Sequence, residues 1–113
     1  MKVIDVFEQY FKADCMFNTV QRNAVVVKLT ATSDAGQIKY EVSTSFFPHR
    51  DPEDFAISYD AYEAVTLYEA KGRRSKKREK EYLPKLREYA DECAAKLGGT
   101  IDWDSPLIEA RMG

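Results

Sequence analysis

Apolar positions open the chain at three- and four-residue spacing. Val3, Phe7 and Tyr10, with Ile4 and Phe11 beside them, predict an amphipathic helix over residues 3–12. Residues 14–22 read as a connection that lends Met16 and Phe17 to the core. The period then changes to two. Over residues 23–32, Val25, Val27, Leu29 and Ala31 share one side and Lys28 and Thr30 the other, in a stretch dense in β-branched residues. Ser33-Asp34-Ala35-Gly36 is a turn cluster in which Gly36 suits a positive φ. Ile38, Tyr40, Val42, Thr44 and Phe46 then alternate with Lys39, Glu41, Ser43 and Ser45. That alternation predicts a returning strand with one wet face, and so a hairpin. Pro48 and Pro52 punctuate a loop over residues 47–55.

Residues 60–71 fit two patterns. As a helix, Asp60 caps a stripe of Ala61, Val65 and Tyr68; as a strand, Val65 and Leu67 oppose Ala64, Thr66 and Tyr68. Val-Thr-Leu-Tyr favours a strand over residues 64–70, and a lone hairpin needs a third strand to be stable. Residues 75–97 form the dominant helix. Ser75 caps it, Tyr82, Leu86, Tyr89, Cys93 and Leu97 make its apolar stripe, and Gly98-Gly99 ends it. Pro84 lies inside and predicts a kink or a restart, because it lacks a backbone donor and crowds the preceding turn. The order is helix, strand, strand, strand, helix. The expected fold is α+β: a three-stranded antiparallel sheet packed on an N-terminal and a long C-terminal helix. Residues 1–99 form the domain, and residues 100–113 a C-terminal tail pinned to it by Trp103, Pro106, Leu107 and Ile108.

Composition adds one domain's worth of chain, 44% apolar and 32% charged, which excludes a disordered segment. No apolar run approaches the ~18 residues of a membrane span. Cys15 and Cys93 read as reduced thiols of a cytoplasmic protein, and two Cys with one His supply no zinc-ligand set. No metal and no cofactor is implied.

Charge changes the picture most. Residues 71–80, Lys-Gly-Arg-Arg-Ser-Lys-Lys-Arg-Glu-Lys, hold seven of the seventeen basic residues and one acid, net +6. The remainder has ten basic and eighteen acidic residues, net −8. Three cations in the first turn of a helix oppose its dipole, at a few tenths of a kcal/mol each. The same placement suits a phosphate, since unpaired amides and side chains converge on it. Arg73, Arg74, Lys76, Lys77, Arg78 and Lys80 are therefore the candidate nucleic-acid-binding residues. A plain solvated surface has the same composition, and so has a docking patch for an acidic protein.

Gly72-Arg73-Arg74-Ser75-Lys76-Lys77-Arg78-Glu79-Lys80 reads G-x-x-S-K-K-x-x-K. With the expected element order, this segment resembles the second-helix opening of the double-stranded-RNA-binding domain. The resemblance implies that Lys76, Lys77 and Lys80 grip phosphates of duplex RNA or DNA. It also implies that residues 3–12 match the helix that reads the minor groove. The chain also resembles small proteins of bacterial conjugative elements and prophages, a likeness that assigns no activity.

Other candidates are weaker. His49, in Phe47-Pro48-His49-Arg50-Asp51, is the only histidine and has no paired nucleophile, so no catalytic residue is assigned and the protein reads as a non-enzyme. Residues 41–70 hold seven acids and one Arg, a possible counterweight to the basic run, within one chain or between two in a homodimer. Phe47, His49, Tyr59 and Tyr62 are the candidate partner-binding residues if the function is protein interaction instead.

Overall fold

The computed structural model describes residues 1–17, 19–48 and 60–112, with the backbone alone at 60–62 and 108–112. It contains β1 (Lys2–Phe17), β2 (Val20–Asp34), β3 (Gln37–Phe47), β4 (Asp60–Lys71), α1 (Lys76–Lys96) and β5 (Thr100–Met112). The strands form one antiparallel sheet in the order β4-β3-β2-β1-β5. Among the described residues the molecule is thus mostly β with a single helix. The three-stranded α+β arrangement expected from the sequence is not present, and neither is the element order of the RNA-binding domain. Among the described residues no helix is long and apolar enough to cross a membrane.

Two segments overturn the expected fold. Residues 3–12 are strand, not helix. β1 carries register shifts between Asp5 and Phe7 and between Lys12 and Cys15. A bulge adds one residue and resets the alternation, so a bulged strand reproduces helix-like spacing of its apolar residues. Tyr10 and Phe11 are both buried, on opposite faces, which hides the period further. Residues 100–112, expected as a tail, form edge strand β5 against β1. Pro106 sits there beside a register shift, as an edge position allows.

The period-two segment forms the expected hairpin, but its second face is not wet throughout: Ser43 and Ser45 of β3 are buried there, beside the cluster of Tyr10, Ala24, Val26 and Phe47. Val25, Val27, Leu29 and Ala31 of β2 pair with Phe46, Thr44, Val42 and Tyr40 of β3. Ala35 (φ 51°) and Gly36 (φ 79°) form the two-residue turn, both left-handed, which matches the twist of the strands. The strand reading of residues 64–70 is the one realised, inside β4.

Because β4 and β5 both run antiparallel to odd-numbered neighbours, they point the same way at opposite edges of the sheet. The chain must return along the sheet between them, and α1, about 30 Å of helix, makes that return across one face. Tyr82, Leu86, Ala90, Cys93 and Ala94 pack there on Val25, Val27, Leu29, Tyr40, Val42 and Phe46. Pro84 is exposed, and α1 runs through it without a break. Gly99 leaves the helix so close to β1 that an added Cβ would lie 1.7 Å from the Asp14 carbonyl oxygen. A smaller cluster of Tyr10, Ala24, Val26 and Phe47, with Leu107, lies on the opposite face, where Tyr10 meets Phe47 edge-on.

Candidate functional site

The basic run joins β4 to α1. The Gly72 amide donates to the Gly36 carbonyl at 3.0 Å, tying the end of β4 to the β2–β3 turn, and Gly72 turns the chain at φ 139°. Ser75 is extended (φ −130°, ψ 115°) and its hydroxyl accepts from the Arg78 amide at 3.3 Å, the N-cap its sequence position predicts.

Beneath this cap lies a network the sequence did not disclose. The Tyr40 hydroxyl, from β3, accepts from the Ser75 amide at 2.9 Å and donates to Glu79 Oε2 at 2.7 Å. Arg74 grips the same carboxylate with two bonds, Nε to Oε2 and Nη2 to Oε1, both 3.0 Å. Glu79 is buried. Burial alone would raise its carboxyl, but the bonds from Arg74 and Tyr40 outweigh that and hold it below the usual range. The bond to Glu79 raises the Arg74 guanidinium, and burial raises the Tyr40 phenol. Arg78 lies over the Tyr68 ring, 4.2 Å from its centroid.

The six sequence-predicted cations therefore divide. Arg74 and Arg78 hold the run to the sheet. Arg73, Lys76, Lys77 and Lys80, with Lys71, are exposed and make no salt bridge among the described residues. Among the described residues the acid that meets the run is its own Glu79, while Asp51, Glu53 and Asp54 lie outside them. Of the acidic counterweight, Glu63 faces Lys96 at 3.6 Å at the other end of α1, and Glu69 stands opposite Lys39 in register.

The partner-binding candidates are not brought together. Phe47 is 1% exposed in the smaller cluster, so its ring is core rather than docking surface. Tyr62 pairs with Ser45 through β4, and His49 and Tyr59 lie outside the described residues.

The exposed lysines border a groove. Val6, Phe7 and Leu83 floor a cleft of about 210 Å³ whose rim carries Arg74, Lys76, Glu79 and Lys80. Phe7 and Leu83 continue into a second cleft of about 100 Å³ with Phe11, Val27, Leu86, Arg87 and Trp103. Arg87 sits 5.1 Å from the Trp103 ring centroid, Phe11 meets Trp103 edge-on at 4.8 Å, and Trp103 Nε1 donates to Asp91 at 2.9 Å. Sequence reading assigned Phe7 to a helix and Trp103 to a tail, so this groove went unseen. One signal was available: Lys76, Lys80, Leu83 and Arg87 are spaced by four, three and four, a single stripe of a helix.

Both thiols are buried and free, and burial raises each above its ordinary value, which makes them poor nucleophiles. Cys93 donates to Glu63 at 3.1 Å. Among the described residues no set of three His, Cys, Asp or Glu side chains is arranged to hold a metal. No protein-family model matches this chain, and no curated protein and no solved structure is significantly similar to it.

Proposed function

We propose that this protein binds nucleic acid by its phosphate backbone, as a binder rather than an enzyme, through the exposed cations of residues 71–80. The observation that carries the reading is the division of labour within the run. Its one acid is consumed by Arg74 and Tyr40, which leaves Lys71, Arg73, Lys76, Lys77 and Lys80 facing solvent on a segment anchored at both ends. A cluster of like charges held on an anchored segment loses less entropy on meeting phosphates than a disordered one.

The test is fluorescence anisotropy of labelled oligonucleotides at 50 and 200 mM salt. Contact with ~4 phosphates gives a log–log salt slope of about −3 to −4. Lys76→Glu with Lys77→Glu is expected to abolish binding and leave the thermal melt nearly unchanged, since both side chains are exposed. Undiminished binding by that double variant at 100 mM salt would remove the run as the site.

A second reading, association of two copies, is favoured by one feature. Among the described residues β4 is an edge strand, with Val65 40% exposed and with Glu63, Ala64 and Thr66 also exposed, and an edge strand is a template for pairing with a second chain.

A further inference from the structure

The groove beside the basic run carries more information than the run. Charge alone would recruit any polyanion. Here the cations stand along one wall of an apolar cleft: Lys76, Lys80 and Arg87 on one stripe of α1, over a floor that includes the half-buried ring of Phe7. From Lys76 to Arg87 the stripe runs about 16 Å along the helix. Glu79 in this wall is neutralised by the bidentate Arg74. Asp91 lies beyond the far end, held by Trp103.

A ligand that fits must be anionic along one edge and flat and apolar along the other. A duplex presents phosphates but keeps its bases stacked inside, so it would leave the Phe7 floor uncovered. A single strand presents both at once, and aromatic platforms beside cationic tracks are how sequence-tolerant single-strand binding works. Resting on the phosphate-contact reading above, we infer that the groove between α1 and β1 takes a single-stranded nucleic acid. A base lies on Phe7, phosphates follow Lys76 and Lys80, and Arg87, held over Trp103, supplies the cation at the far end.

Trp103 is the only tryptophan in the chain and lines the groove, so its emission reports occupancy without any substitution. The experiment titrates the full chain at 100 mM salt with a labelled twelve-residue deoxythymidine strand, a twelve-base-pair duplex, heparin and polyglutamate. The expected result has three parts. The single strand binds at least ten-fold tighter than the duplex and quenches Trp103. Phe7→Leu, which keeps an apolar floor but loses the ring, weakens the single strand about ten-fold, equivalent to ~1.4 kcal/mol and within what one stacked base contributes. The same variant leaves heparin binding unchanged.

Duplex binding as tight as the single strand, or Trp103 emission indifferent to a bound single strand, overturns the inference and leaves the phosphate-contact reading standing. Polyglutamate displacing the strand at equal charge concentration makes an acidic protein segment the occupant and overturns the inference. Binding to neither nucleic acid removes both readings. Should Phe7→Leu fail to fold, the quenching and the strand preference of the unaltered chain still decide.

Discussion

Glu79 is the single acid among seven cations, and sequence reading treated it as one charge subtracted from a patch. Its position decides otherwise. With Lys76 as the first helical residue, Glu79 comes at the fourth, on the side of α1 that faces Tyr40. There it accepts three hydrogen bonds, two of them from a guanidinium. Such charge-assisted bonds at a buried acceptor are worth more than surface pairs, which contribute roughly 0–1 kcal/mol. Replacing Glu79 by Gln leaves Arg74 and Tyr40 imperfectly matched and is expected to cost about 1–3 kcal/mol in urea unfolding at pH 7. The pH dependence has a definite sign. The native carboxyl is held below its unfolded value, near 4.3. Its contribution is therefore complete above about pH 4.3 and is lost as pH falls through the native value. The parent chain should lose stability more steeply than Glu79→Gln as pH drops below that point; parallel curves for the two would refute the assignment.

At the scale of elements, β1 and the α1–β5 joint show where local pattern and structure part. The irregularity between Asp5 and Phe7 in β1 breaks the period of two, and burial of both faces near Tyr10 and Phe11 removes the remaining alternation. β2 and β3 have an unbroken mutual register and were legible for that reason. The double glycine after α1 was read as a helix stop, and it is one: the Gly98 and Gly99 amides donate to the Ala95 and Ala94 carbonyls at 3.0 Å, and Gly98 adopts φ 69°. Gly99 has a second role, because β1 backbone passes where its side chain would stand. Gly99→Ala must push α1 or β1 aside. It is expected to cost at least ~2 kcal/mol, more than the ~0.5–1 kcal/mol by which glycine and alanine differ in backbone freedom. Equilibrium urea unfolding measures it; a neutral or stabilising outcome would place Asp14 elsewhere.

For the whole molecule, one sheet with a helix on one face leaves two edges, β4 and β5. β5 carries Pro106, a residue that blunts an edge against further pairing. β4 keeps register with β3 from Glu63 to Thr66, where Val65 is 40% exposed, and shifts register at Leu67. If two copies associate, β4 is the strand that pairs, antiparallel about a two-fold axis. Light scattering at rising concentration should then give twice the chain mass, and Val65→Lys should return it to the monomer. A monomer mass at every concentration leaves nucleic-acid binding as the sole reading. Because the basic run follows β4 directly, a dimer of this kind would bring two runs onto one assembly and increase avidity for a long polyanion.

Locally determined features were decided by the sequence itself: the β2–β3 hairpin with its left-handed turn, the strand character of residues 64–70, the capped helix and its glycine stop, and the concentration of charge in residues 71–80. Each rests on interactions between near neighbours, which pattern and propensity report directly. Tertiary structure alone decided the rest. Whether residues 2–17 and 100–112 are strands depends on β2 offering β1 a ladder and on β1 offering one to β5, contacts separated by up to the length of the chain. Which cations face solvent depends on Tyr40 and Tyr68, more than thirty residues and six residues before Arg74 and claimed by the sheet. The groove exists only because α1 recrosses the sheet and sets Leu83 and Arg87 above Phe7 and Trp103, residues that share no local pattern.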